Sequence, residues 1–170
     1  VQWDRWFAAF TSGDLRYFDY DVNDQGVVRH FGTSDSDYST DVISTQTNAF
    51  ISNSVAADKT FFAYVAPIAP HEPSTPTPRD AHAYDGVIGP RLSSFNEADV
   101  SDKPSWIRQQ SKLTSSQISA INKRHENRVE SLQAVDDLVK GVVQARQRPQ
   151  ARPRGVAAGD VRQTQRSALA

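Results

Sequence analysis

One histidine in this chain is set in an unusually restrictive context. His71 lies in Ala66-Pro67-Ile68-Ala69-Pro70-His71-Glu72-Pro73, where the prolines forbid helix and continued strand. As an imidazolium, such a side chain can donate N–H to a developing negative charge, and a bound anion favours that form. The plainer alternative is an exposed loop histidine between prolines. Asp136-Asp137 resembles a carboxylate pair, but adjacent helix positions point in different directions; either one of them caps or pairs with a nearby loop, or both are simply solvated. Asp99, Asp102 and Lys103 stand in a polar stretch and could contact substrate, although turn chemistry accounts for them as well. His125 falls on an apolar helical stripe and is expected to be packed and hydrogen-bonded. His30 and His82 have no partner visible in sequence. A Gly-rich phosphate loop, an HExxH pair and a zinc-type cluster are all absent from the sequence.

His71 needs a scaffold, and the residues before it suggest one. Thr60-Phe61-Phe62-Ala63-Tyr64-Val65 is a continuous apolar run without polar alternation. It predicts a strand buried on both faces of a parallel sheet. His71 would then stand at the carboxyl end of that strand, where open α/β sheets bind ligands. A helix is predicted from Asp37 or Ser39 to about Ser54, either residue capping it, with Val42, Ile43, Gln46, Ala49 and Phe50 on one face and Tyr38 one turn earlier. Helix followed by buried strand favours α/β architecture.

Upstream, Trp3, Trp6, Phe7 and Phe10 have helix-like spacing. Arg16 to Val22 alternates as a half-buried strand, Asn23-Asp24-Gln25-Gly26 reads as a turn, and Val27 to Phe31 returns as the second strand of a hairpin. The aromatics and acids alternating there could form a carbohydrate-contacting edge, or pack against the core. Downstream, Ser74 to Asp102 is a long Pro-, Gly-, Ser- and Asp-rich excursion that Phe95, Trp106 and Ile107 mark as ordered. Thr114-Ser115-Ser116-Gln117 is a capping box. It opens a long helix with Ile118, Ile121, His125, Val129, Leu132, Val135, Val139 and Val142 on its apolar stripe. Residues 144–170 carry six arginines, no lysine and no aromatic residue and read as a basic, disordered tail. That tail could attract nucleic acid electrostatically, but it lacks aromatics for base stacking.

At 170 residues with formal net charge −1, the chain allows one domain or part of one. Its overall charge predicts no strong attraction to nucleic acid or anionic membranes. With no cysteine, disulfides, thiolate metal sites and a cysteine nucleophile are excluded, and the redox compartment is left undetermined. No apolar run reaches the ~20 residues that span a bilayer. Val1 and the absence of methionine fit a fragment or processed chain.

The run Phe61 to Pro73 resembles the sulfatase family, and more narrowly its N-acetylglucosamine-6-sulfatase-like branch. Three further segments match that branch in order: Tyr38-Ser39-Thr40-Asp41-Val42, the stretch from Asn96 through Asp102-Lys103-Pro104-Ser105-Trp106-Ile107-Arg108, and Arg128 to Val139. The resemblance covers about residues 1–143. It implies part of an alkaline-phosphatase-like α/β sandwich and hydrolysis of a sulfate ester, of a sulfated small molecule or glycan. It also implies a formylglycine nucleophile made from a C/S-x-P-x-R motif, a calcium ion, and secreted, periplasmic or lysosomal residence. His71 matches the family's histidine that contacts sulfate and assists the leaving group. The departures are equally clear. These 170 residues hold no C/S-x-P-x-R motif and no early aspartate pair. Where the family has a strand and an Asp-Asn-Gly motif after the long helix, Gln144-Ala145-Arg146-Gln147-Arg148 begins the tail, which reads as a non-homologous end. The chain alone is therefore expected to be inactive and, with its sheet incomplete, poorly soluble or partly ordered. Two rivals are a phosphoester or phosphonate hydrolase of the same superfamily and a non-catalytic chain that binds glycan or a partner.

Overall fold

Gln25 and Gly26 turn the chain with φ of 54° and 90°, the paired positive values that a two-residue hairpin loop uses. In the computed structural model, which describes residues 3–10 and 16–147, they join β2 (Tyr20–Asp24) to β3 (Val27–Phe31). Asn23 Oδ1 accepts from the Gly26 N–H at 2.7 Å. The hairpin follows its sequence signature, with β2 starting at Tyr20 rather than Arg16.

The N-terminal aromatics do not form the helix that their spacing predicts. Phe7–Phe10 is a strand, β1, antiparallel to β2 with Phe7 opposite Asp24 and Phe10 opposite Asp21. A helix this short is marginal by itself, whereas β2 offers a ready backbone partner. Gln25 secures the junction: its N–H donates to the Trp6 carbonyl at 3.0 Å, and its Oε1 accepts from the Trp6 N–H at 2.5 Å. Arg5 and Arg29 both pair with Asp24, Arg29 at 2.8 Å. The sheet order is β1-β2-β3. Central Tyr20 and Val22 are buried, while Val27 and Val28 on β3 are exposed.

After a 3-10 turn at Asp35–Asp37, α1 runs Ser39–Ala56. Its N-cap is Tyr38, without a side-chain cap; instead the Ser39 N–H donates to the Tyr17 carbonyl at 2.9 Å. Neither Asp37 nor Ser39 is needed as a cap, because the segment leading into β2 supplies the acceptor. Val42 is buried, Ile43, Gln46 and Phe50 are half-buried, and Ala49 is exposed.

The capping box forms as read: Gln117 N–H donates to Thr114 Oγ1 at 3.3 Å, and Thr114 N–H to Gln117 Oε1 at 2.8 Å. It opens α3, Ser115–Gln147, which packs along α1. Gly141 permits a close approach, since a Cβ there would lie 2.4 Å from Asn48 Nδ2. The buried face of α3 is Glu126, Glu130, Ser131, Ala134, Leu138 and Ala145, while Leu132, Val139 and Val143 stay exposed. The apolar stripe and the buried stripe are thus out of phase, because polar loop groups and small-residue helix contacts take the inner face. The helix also runs through Gln144 to Gln147, where the tail was expected to begin; residues 148–170 of that tail lie outside the described residues.

Between the helices, Asn96 (φ 51°) holds Leu113 at both backbone groups, accepting its N–H at 2.8 Å and donating to its carbonyl at 3.3 Å. The Arg91 guanidinium sits 4.1 Å from the Phe95 ring centroid. A short helix, α2 (Ser105–Arg108), carries Trp106, which is exposed rather than packed.

The largest departure is at Thr60 to Val65. Residues 59–68 contain no helix, turn, bend or ladder pairing, and Thr60 to Tyr64 are exposed. Apolar character alone does not make a strand. The ladder needs a neighbour, and the three strands present pair among themselves. Among the described residues, the fold is a small mixed α/β piece: one antiparallel sheet, two packed helices and long connecting loops.

Candidate functional site

The loop of His71 is built from both ends. Tyr17 and Tyr38 stack with ring centroids 5.7 Å apart, inside a cluster with Ala69 and Ala134, flanked by Phe18, Ile68 and Val135. Tyr17 Oη donates to the His71 carbonyl at 2.6 Å, and Tyr38 Oη to the Thr75 carbonyl at 2.8 Å. Two stacked phenols therefore hold residues 71 and 75 against the core. Burial pushes the Tyr17 phenol up to about 12, with the Ser131 hydroxyl opposing. Burial raises Tyr38 also, reinforced by Tyr17 and Asp41.

Within the loop, His71 N–H donates to the Ile68 carbonyl at 2.9 Å and Ser74 N–H to the His71 carbonyl at 2.8 Å. Ser74 is fully buried, has φ of 55°, and its Oγ donates to the Pro70 carbonyl at 2.9 Å. The Ala69-Pro70 and Glu72-Pro73 peptides are cis. Arg124 on α3 pairs with Glu72 at 3.2 Å. The His71 ring itself is exposed, with Nδ1 2.8 Å from the Glu72 carbonyl oxygen. A carbonyl only accepts, so this contact puts the hydrogen on Nδ1 and turns Nε2 to solvent. A ring held this way can accept a proton at Nε2 and then present that N–H to an anion.

The other sequence candidates are engaged elsewhere. Asp137 meets a loop, the first of the two readings: Arg79 bonds Asp41 through both terminal nitrogens, at 2.5 and 3.0 Å, and Asp137 at 3.3 Å. Asp136 is exposed. Asp99 accepts from the Ser101 N–H at 3.0 Å. Lys103 pairs with Asp102 at 2.8 Å and with Glu97 at 3.3 Å. These contacts hold both aspartates below the usual carboxylate range and the lysine above its usual value. That is turn chemistry with local ion pairing. His30 lies 2.9 Å from Asp21 and His82 3.0 Å from Asp85. His125 is half-buried and packs against Gly89. Among the described residues, none of these groups shares a hydrogen bond or ion pair with His71.

Sequence reasoning missed Arg79 and the buried pair Glu126 and Glu130. The glutamates' four-residue spacing on α3 was the available signal. Glu126 accepts from the Gly86 N–H at 2.9 Å and Glu130 from the Tyr84 N–H at 3.2 Å. With Asp85 they bring carboxylate oxygens within 4.8 Å of one another. This grouping does not fit the implied calcium. A calcium site needs about six to eight oxygens, and here Lys123 and the Gly86 N–H take both oxygens of Glu126, the Tyr84 N–H takes one of Glu130, and Asp85 lies against His82. Lys123, then the Gly86 N–H, hold Glu126 below the usual range. The grouping fastens the Tyr84–Gly86 turn to α3.

Comparison with known proteins decides the kinship of this loop and its two helices. An arylsulfatase of Volvox carteri is 33% identical over 150 residues, covering 74% of this chain and 23% of its own length. The human N-acetylglucosamine-6-sulfatase is 31% identical over 144 residues, 83% of this chain and 25% of its own. The Sulf-1 extracellular sulfatase homolog of Caenorhabditis elegans is 30% identical over 138 residues, 79% and 19%. The chain is a sulfatase-family sequence. It spans about a fifth to a quarter of the length of these sulfatases. No family model matches it, and no solved structure does. The kinship implies the alkaline-phosphatase-like superfamily, with which this mixed α/β piece is compatible. Among the described residues, no helix of this sulfatase-family chain is long and apolar enough to cross a membrane.

Proposed function

We propose that this chain carries the histidine edge of a site for sulfate ester hydrolysis, with His71 contacting the sulfate and assisting departure of the leaving group. The observation that supports it is the hydrogen bond from Nδ1 to the Glu72 carbonyl (2.8 Å), which leaves Nε2 outward on a loop pinned by Tyr17 and Tyr38. A protonated Nε2 would lie ready for a sulfate oxygen, and a fixed donor of this kind stabilises charge that develops in the transition state. Sulfated sugars, such as a 6-sulfated amino sugar, are the proposed substrate class, by kinship with the N-acetylglucosamine-6-sulfatases.

By itself the chain is proposed to be inactive, because its 170 residues contain no C/S-x-P-x-R motif to supply the nucleophile. Two measurements test this reading. Nuclear magnetic resonance of the His71 ring should show shifts on adding methyl sulfate but not on adding chloride at equal ionic strength. Identical responses to the two salts would remove His71 from the sulfate contact. Assays with an aryl sulfate and a 6-sulfated amino sugar, with calcium present, should give no turnover above a His71→Ala control. Turnover above that control would overturn the proposed inactivity.

A further inference from the structure

Ser74 is a fully buried serine in the left-handed region, with φ of 55°. A residue with a Cβ holds that conformation only where its surroundings impose it, and such residues gather at functional sites. Here the side chain serves the His71 loop. Ser74 Oγ donates to the Pro70 carbonyl at 2.9 Å and lies 3.3 Å from the His71 carbonyl oxygen. The Ser74 N–H donates to the His71 carbonyl at 2.8 Å. Among the described residues, no other donor reaches the Pro70 carbonyl.

These bonds draw residues 70–74 into a closed loop with Glu72 at its middle. The Glu72 carbonyl oxygen lies 2.8 Å from His71 Nδ1, and it faces the ring because the chain folds back at Ser74. All of these groups belong to residues 70–74, so the arrangement is complete within the loop.

We propose that Ser74 is a positioning residue for His71: by closing the loop on the Pro70 and His71 carbonyls, its hydroxyl keeps the Glu72 carbonyl against Nδ1, and so keeps the hydrogen on Nδ1 and Nε2 open. The consequence for sulfate rests on the proposed contact of His71 with it; the effect on the ring does not. The hydrogen bond made by one ring nitrogen decides which nitrogen carries the hydrogen. Without the Glu72 bond, the hydrogen moves to Nε2, the form that a free imidazole prefers. A neutral ring of that form has no lone pair at Nε2 to take up the proton that a sulfate oxygen would meet.

Long-range proton–nitrogen magnetic resonance of the 170-residue chain reads the tautomer directly. At about pH 8.5, above the ordinary imidazole value near 6.5, wild-type His71 should carry its hydrogen mainly on Nδ1. Ser74→Ala removes the hydroxyl and keeps the N–H. Ser74→Gly removes the hydroxyl and also relaxes the positive φ. In both, the ratio of the Nδ1–H to the Nε2–H form should fall about fivefold, the equilibrium equivalent of one hydrogen bond. His30 and His82 should be unchanged in the same spectra. A serine with only a structural role would shift the urea midpoint, with glycine above alanine, and leave the tautomer alone.

An unchanged tautomer in the folded variants, or a wild-type ring with its hydrogen on Nε2, would overturn the proposal. Methyl sulfate separates it from the sulfate contact. A tautomer shift in the variants, with no sulfate response in the wild type, would remove the sulfate contact and leave the positioning role in place. A sulfate response that the variants retain, with the tautomer unchanged, would do the reverse. Should neither variant fold, the wild type decides: the Ser74 hydroxyl proton should exchange slowly with water, and one that exchanges freely would overturn the proposal.

Discussion

Tyr17 Oη donates to the backbone carbonyl of His71 at 2.6 Å, across 54 residues of sequence. The bond ties the segment leading into the sheet to the loop that presents the histidine. Tyr17→Phe keeps the stack on Tyr38 and removes this bond together with the contact of the Ser131 hydroxyl on the phenol oxygen. The His71 carbonyl still receives the Ser74 N–H, so the loss should be near 1 kcal/mol rather than the larger penalty of a fully orphaned group. Urea unfolding measures it. Faster amide exchange at Ser74, with α3 unchanged, would show that the effect is local.

Alkaline pH should act on the same pair of phenols. Both Tyr17, pushed up to about 12, and Tyr38 are raised by burial, against about 10 in an unfolded chain. The fold therefore favours their protonated forms. That contribution is fully present below about pH 10 and is lost as pH rises through 10 toward 12. Urea midpoints should fall across that window, and the fall should be shallower in Tyr17→Phe. A flat profile would contradict the burial of these hydroxyls.

Arg79 joins α1 to α3 by holding Asp41 and Asp137. Asp41, ahead of the other neighbouring carboxylates, raises the guanidinium above its usual value. Because Arg79 is about half exposed, screening limits the gain. Arg79→Met should cost about 1 kcal/mol, less at high salt. In double-mutant cycles the coupling to Asp41 should exceed that to Asp137, since only Asp41 receives two nitrogens. Equal couplings would argue against the bidentate geometry.

Gly141 offers a cleaner test of the helix pair. Alanine there gains helix propensity of about 1 kcal/mol, but its Cβ meets the Asn48 amide at 2.4 Å. The two effects should nearly cancel in Gly141→Ala alone. In an Asn48→Ala background the obstruction is gone, and the same change should stabilise by about 1 kcal/mol. Thermal or urea unfolding of the four proteins decides it, and additive effects would place the helices further apart.

Local rules were legible wherever one segment sufficed. The Asn23 to Gly26 turn, the Thr114 capping box and the body of α1 follow from residues that interact within a few positions. The His71 loop was legible as proline-bracketed, but its anchors were not: Tyr17 and Tyr38 bond carbonyls 54 and 37 residues away, and no spacing rule reports that. Asp137 could be expected to meet a loop, yet nothing near it in sequence identified Arg79. The phase of α3 was misread because its most apolar positions are not those that face inward. Glu126 and Glu130 go inside because the Tyr84 and Gly86 N–H groups meet them there.

By itself, then, the sequence determined the short-range elements and the sulfatase kinship, and it singled out His71 by its proline-bracketed setting. Tertiary structure decided which face of α3 is buried, why Phe7–Phe10 is a strand, and how His71 is held with Nε2 outward. It also decided that Thr60 to Val65 stays unpaired. Turns and caps are settled by neighbours along the chain. Strand pairing and burial are settled by what else is present to pair with and to cover, and Thr60 to Val65 finds neither among the described residues.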